Sequence, residues 1–290
     1  MHIPVLLKET IEYLNPKENG NYVDCTLNGG GHTREILKRN GPKGKVLGIE
    51  LDKEIFEKIK REEIERLIAV NDSYVNIADI SRRNDFKNVK GILFDIGMSS
   101  YHVDQSQKGF SFQKDEPLLM RYGEEGITAE EIINEYPEAE IEKILREYGE
   151  ENFSKRIAKR IAEKRKTEKI KSTFQLIEII KEATPGAYHH GKTHFATRTF
   201  QALRIAVNDE LENFRKALPQ AFDLLEKNGR LVAISFHSLE DRIIKTFLKE
   251  KELAGEAEVL TKKPVVPEER EAEANPRSRS AKLRAAIKIK

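Results

Sequence analysis

"NYVDCTLNGGGHTREILKRN" (residues 21–40) decides how the chain folds. It joins a short apolar run to a helical pattern through an acid, Asp24, and three consecutive glycines, Gly29, Gly30 and Gly31. Residues 21–27 read as a buried strand, and "HTREILKRN" reads as a helix closed by Gly41 and Pro42. Glycines at such a strand-to-helix turn let backbone and ligand approach closely. Working outward, "KVLGIELD" (45–52), "RLIAVND" (66–72) and "VKGILFDIG" (89–97) repeat the strand pattern, separated by the helical stretches "KEIFEKIKRE" and "VNIADISRRN". Strand and helix alternating at this spacing predict right-handed crossovers and a mostly parallel, doubly wound α/β sheet covered on both faces.

Beyond residue 100 the character changes. Residues 128–183 are helical in period, heavily charged and free of strand candidates. Strand character returns at "GRLVAISF" (229–236), after what reads as one long amphipathic helix, "NDELENFRKALPQAFDLLEKN" (208–228). The α/β domain is therefore expected to be interrupted: a first part over 1–104, a helical insertion over 105–205 and a second part over 206–290. "TKKPVVPEEREAEANPRSRS" (261–280) reads as an exposed loop, and "AKLRAAIKIK" as a last edge strand.

Composition limits the partners. Lys plus Arg is 51 and Asp plus Glu is 49, so the net charge of +2 announces no globally basic nucleic-acid binder, and any such surface must be local. A charged fraction of 34%, one Cys and no Trp fit a heat-adapted cytosolic protein. A lone Cys25 excludes an internal disulfide and a Cys-based zinc site. No signal peptide opens the chain, and no apolar run reaches the roughly 18 residues of a membrane span. A soluble, cytoplasmic protein is expected.

The glycine turn sits where open parallel sheets bind ligands, beyond the carboxyl ends of the strands. Two strand-end acids fall at the same crevice. Asp52 closes "GIELD" about twenty residues past the glycines, where such folds place an acid for a ribose diol. Asp95 closes the fourth strand in "FDIGMSS". A dinucleotide would bring phosphate oxygens to a loop already holding Asp24, and Arg34 occupies the last glycine position of the G-x-G-x-x-G fingerprint. S-adenosylmethionine fits better: its sulfonium and ammonium are positive, and its single carboxylate can meet backbone N–H groups at the following helix start.

At this point "HIPVLLKET", "DCTLNGGGHT", "DIGMSS", "GFSF", "ATRTFQALRIAVNDEL" (196–211), "ISFHSLEDRIIK" (234–245) and "NPRSRSAKLRAA" (275–286) resemble, in order, the motifs of the bacterial ribosomal RNA small subunit methyltransferase H family. The resemblance runs from about residue 2 to 286. It implies a Rossmann-like S-adenosylmethionine-dependent enzyme that methylates the exocyclic amine of a cytosine in the decoding region of 16S rRNA in the small subunit. It also implies cofactor contacts at Gly30, Gly31 and His32 for the methionine end, Asp52 for the ribose, Tyr74 beside the adenine, and Asp95, with Asp24 in the same loop. His102 stands where the family usually has Gln and, able to donate or accept, is a further candidate cofactor contact; Leu119 stands where the family has an acid, and Phe195 where it has proline.

Methyl transfer to an amine is an in-line displacement that needs positioning and no metal. Asp95, Ser99 and His237 are the candidate catalytic groups. The "FHSLEDR" segment has two readings that can coexist, a helix start capped by Ser238 with Asp241 and a substrate contact through His237. The target base must be unpaired or splayed out. Arg198, Arg204, Arg242, Arg277, Arg279, Lys282 and Arg284 are candidate phosphate contacts. Phe200 and Tyr101 are candidates for base stacking. A homodimer stays open, as do two rival readings, a nicotinamide-dependent oxidoreductase and a ribosome-assembly factor that binds RNA through a methyltransferase fold.

Overall fold

The computed structural model describes residues 4–191 and 193–290; His2 and Ile3 of the first motif lie outside the described residues. The chain divides into two compact units. One runs up to Gly97 and resumes over Leu211–Lys290, and the other is Met98–Glu210. The sequence boundaries at 104/105 and 205/206 fall inside the second unit. Its first helix spans Ser100–Asp104, and His102 of that helix packs its ring 5.2 Å from Phe110 and 4.7 Å from Tyr122.

The first unit carries β1 (Asn21–Asp24), β2 (Val46–Glu50), β3 (Leu67–Asn71), β4 (Val89–Asp95), β5 (Leu225–Ser235), β6 (Ala257–Val259) and β7 (Lys282–Lys288). They form one sheet in the order β3-β2-β1-β4-β5-β7-β6. β1 to β5 are parallel, and β7 runs antiparallel between β5 and β6. Every residue of β2 is buried, and so are six of the seven in β4, the pattern of a parallel sheet covered on both faces. α1 (Leu7–Leu14), α2 (Gly31–Arg39), α3 (Lys53–Lys60), α4 (Ile77–Arg83), α11 (Glu210–Leu224), α12 (Ser238–Leu253) and α13 (Glu269–Ala274) accompany it.

The second unit is helical: α5 (Ser100–Asp104), α6 (Ala129–Glu135), α7 (Glu138–Gly149), α8 (Ser154–Lys164), α9 (Thr173–Ala183) and α10 (Thr197–Asn208). Its core is made of Ile132, Ile141, Leu145, Ile157, Leu176 and Leu203, among others. Reciprocal caps fix three helix starts, those of α5, α6 and α9. Thr128 Oγ1 accepts from Glu131 N at 3.1 Å and Glu131 Oε2 from Thr128 N at 2.6 Å, and Ser172 with Gln175 repeats the device.

Three readings of the C-terminal part are corrected. The stretch 208–228 is not one helix. Asp209 adopts a left-handed conformation with φ 48° and closes α10, and α11 ends at Leu224, where Lys288 Nζ donates to the carbonyls of Phe222, Asp223 and Leu225 at 3.0, 3.1 and 2.8 Å. β7 is not the edge strand. The three-residue β6 takes that place, and Ala285 N of β7 donates to Thr261 Oγ1 beyond it. The expected loop 261–280 includes α13 and a 3₁₀ turn over Pro276–Ser280. No helix among the described residues is long and apolar enough to cross a membrane.

Phe94, the next-to-last residue of β4, is fully buried, with Tyr74 and Phe214 packed edge-on at 5.7 and 5.5 Å. Phe94→Ala should destabilise the protein by about 3–5 kcal/mol, measured by urea unfolding; a loss below about 1 kcal/mol would contradict this packing.

Candidate active site

The parallel strands turn in opposite directions from β1 and β4, which places a topological switch point between their carboxyl ends, Asp24 and Asp95. The turn after β1 is fastened on both sides: Cys25 N donates to Leu93 O and Leu27 N to Ile49 O, each at 2.9 Å. Gly30 has φ 69° and precedes α2, a conformation that disfavours a side chain. Gly31 answers a different need, since a Cβ there would stand 2.2 Å from Pro4 Cγ. His32 holds the same N-terminal segment through Nε2 and Val5 O, 3.0 Å apart. A carbonyl only accepts, so Nε2 carries the proton, and Nδ1 faces Asp95 Oδ2 at 3.7 Å.

Three buried carboxyls meet at the strand tips. Asp24 accepts from Thr33 Oγ1 at 2.7 Å and Thr26 N at 3.2 Å; burial outweighs these bonds and pushes its pKa up to about 6. Asp95 is also pushed up to about 6, first by burial, with His32 opposing and Asp24 and Glu240 adding repulsion. Its Oδ1 has no hydrogen-bond partner. Glu50, the last residue of β2, accepts from Asn28 N at 2.8 Å and Asp52 N at 2.9 Å. Burial, helped by the charges of Asp52 and Asp24, raises it to about 7.

Glu50 replaces Asp52 as the acid at the strand tip. Asp52 is the N-cap of α3, its Oδ1 accepting from Glu54 N at 2.9 Å and Ile55 N at 3.2 Å. The signal in the sequence is a glutamate closing a strand that is buried throughout, a place where acids are rarely left without a purpose. Tyr74 is half-buried just past β3, its ring against Phe94.

His237, rather than Ser238, is the N-cap of α12. Its Nδ1 accepts from Glu240 N at 3.4 Å, and Glu240 Oε2 accepts from Phe236 N and His237 N at 2.8 and 3.3 Å. The box is therefore one residue earlier than Ser238 with Asp241. His237 Nε2 lies 3.0 Å from Glu240 Oε1 without the alignment of a hydrogen bond. In the helical unit, Ser99 and His102 cap α5 together, Ser99 Oγ standing 3.0 Å from His102 Nδ1.

The cations divide. Arg204, only 8% exposed, pairs with Glu210 at 2.9 Å. Arg284, 6% exposed, pairs with Asp241 at 2.6 Å. Both are internal ion pairs, which removes them from the phosphate-contact set. Lys282 stands 3.8 Å from the same Asp241. Arg242, Arg277 and Arg279 are exposed, as is Arg198, which donates to Glu150 O at 2.8 Å. Phe200 is buried in the helical core, a packing role in place of the stacking one.

A cluster of buried carboxyls that holds an unpartnered carboxylate oxygen fits a cationic guest and a hydroxyl-rich ribose, and does not fit a pyrophosphate. With five parallel strands, an antiparallel β7 and acids at the switch point, the protein is a Rossmann-like methyltransferase whose cofactor is S-adenosyl-L-methionine. The profile of the MraW methylase family matches residues 1–289, and the chain belongs to that family. It is similar to proteins named ribosomal RNA small subunit methyltransferase H from Clostridium botulinum (strain Kyoto / Type A2), 46% identical with 99% of each chain covered, and from Halothermothrix orenii, 44% identical with 99% of this chain and 98% of the other covered. A solved structure described as a putative rRNA-methylase from Clostridium thermocellum aligns over the whole of both chains with TM-score 0.48 and 14% identity. Membership in a methylase family sets the nicotinamide-dependent reading aside.

Raised carboxyls make stability depend on pH. Each of these acids binds its proton more tightly folded than unfolded, so their contribution is complete below about pH 4 and is lost as pH rises through about 6 to 7. Asp95→Asn should therefore flatten the decline in stability of the cofactor-free protein between pH 4 and 7 by on the order of 3 kcal/mol, measured by denaturant unfolding across that range. A decline as steep as in the parent would refute the raised Asp95.

Proposed function

We propose that the protein methylates the exocyclic amine of a cytosine in the decoding region of 16S rRNA, acting in the cytoplasm on the small ribosomal subunit. The observation that carries the cofactor half is the cluster of buried strand-tip carboxyls with the unpartnered Asp95 Oδ1. The RNA half is supported by the motifs over residues 2–286 and by the name shared by relatives 44 and 46% identical across the chain.

S-adenosylmethionine, when bound, supplies an activated methyl group on a positively charged sulfur. Asp24 and Asp95 offset the positive charge of the cofactor in a buried site, where such interactions are strongest. Glu50 takes the ribose role: each of its oxygens keeps a lone pair beyond the one given to Asn28 N or Asp52 N, and a diol donating to them favours the ionised form. Gly30 and Gly31 clear the backbone at the methionine end, and Tyr74 offers a ring for the adenine.

A cytosine amine is a weak nucleophile because its lone pair is delocalised into the ring. An acceptor that binds one of its hydrogens favours the pyramidal nitrogen of the attack. Asp95 Oδ1 is that acceptor in this reading, while Ser99 and His237 act through the backbones they cap. Arg198, Arg242, Arg277, Arg279 and Lys282 are the proposed phosphate contacts.

Labelled methyl transfer to small subunits lacking the modification, followed by mapping of the labelled nucleotide, tests the reading; label on any base other than a cytosine amine would sink it. Cofactor titration tests the acid assignment. Glu50→Ala should weaken S-adenosylmethionine binding by about tenfold or more. Asp52→Ala should cost about 1 kcal/mol of stability as a lost cap and change affinity far less. The reverse order would return the ribose to Asp52.

A further inference from the structure

The sheet has a second end. At the amino ends of β1, β4 and β5, away from the acidic tips, lies a cavity of about 440 Å³ lined by Lys17, Lys90, Lys227 and Arg230, with Glu18 as its one acid and Tyr22 in its wall. Lys90 is already neutralised by Glu226. Arg230 is half-buried, and its Nη1 donates to the carbonyl of Tyr13 at 2.7 Å. Neither Arg230, Lys17 nor Lys227 has a carboxylate partner among the described residues. Glu18 therefore faces three unmatched cations.

Tyr22 adds an independent mark. The residue is 1% exposed, and its hydroxyl accepts from Lys17 N at 2.8 Å. Burial raises its pKa, so the hydroxyl keeps its proton, and that proton has no acceptor among the described residues. A buried donor is seldom left unmatched.

We infer that this cavity binds a phosphate group. The Tyr22 hydroxyl and the remaining Arg230 donors form a fixed cradle for its oxygens, and Lys17 and Lys227 close over them as mobile charges. The site is separate from the methyl-transfer pocket and stands whether or not that reading holds. The phosphate is either a free phosphorylated compound or one residue of an RNA backbone.

Inorganic phosphate, followed by calorimetry at low ionic strength, is the first probe, and a uridine decanucleotide is the second. Lys17→Glu and Lys227→Glu, both at exposed positions, should each weaken phosphate binding about tenfold. Lys249→Glu on α12 changes the net charge equally and should leave binding unaltered. Thermal unfolding and S-adenosylmethionine titration report whether each variant remains folded. If binding of the decanucleotide falls in parallel and its salt dependence becomes shallower by about 0.7 per lost contact, the ligand is RNA backbone; if it is unchanged, the ligand is a free phosphate compound. Either result supports the site. The inference is overturned if phosphate does not bind saturably, or if Lys249→Glu weakens it as much as Lys227→Glu, whatever the decanucleotide does.

Discussion

Carboxyl groups buried together at the tips of parallel strands are the constraint around which this molecule is arranged. Asp24, Glu50 and Asp95 are at most 8% exposed, and none has a lysine or arginine partner at salt-bridge distance among the described residues. Burying like charge is unfavourable, and the usual escapes are a counter-ion, hydrogen bonds or protonation. Here hydrogen bonds and protonation share the task. Thr33 and Thr26 hold Asp24, while Asn28 N and Asp52 N hold Glu50. Thr26 Oγ1 accepts from Asp95 N at 2.7 Å and ties the third tip to the same turn.

That network explains the glycine turn more fully than a ligand alone does. The turn serves the neighbouring strands as well as any guest, through Cys25 to β4 and Leu27 to β2. Gly31 and His32 face the N-terminal segment, one by leaving space for Pro4 and the other by bonding Val5. Because the His32 proton on Nε2 is committed to that carbonyl, its Nδ1 lone pair confronts Asp95 unless a proton lies between them. A cation entering this pocket would favour the ionised carboxyls and release protons. In the proposed reading, cofactor binding and the protonation of the tips are two sides of one equilibrium.

The sequence made the parallel half of the fold legible because buried strands and intervening helices differ in period, and β1 to β4 each begin within one residue of their expected start. What escaped was set by partners distant in the chain. β6 is three residues long, too short to carry a period, and exists because β7 pairs with it. The last carbonyls of α11 are satisfied by Lys288, more than sixty positions away. Arg284 resembled a surface cation until Asp241, 43 positions earlier, was found beside it, and Arg204 likewise turned inward to Glu210. At the site, a short window cannot distinguish Glu50 from Asp52; both are acids near a strand end, and only the cap of α3 separates them. His237 for Ser238 is the same kind of miss, since imidazole is an uncommon N-cap.

The net charge of +2 conceals a separation that bears on how a polyanion and a cationic cofactor can be served by one chain. Ionised acids at the surface would repel RNA, but Asp24, Glu50 and Asp95 are buried, and burial keeps their charge away from the surface. Arg242, Arg277 and Arg279 are exposed on the same unit, and fields between exposed charges fade over about 8 Å in physiological salt. The buried acids therefore act only at contact range, while the exposed arginines present their charge to solvent. Placing the acids on strand tips and the arginines on α12 and the turn before β7 keeps those two tasks apart without requiring an overall basic protein.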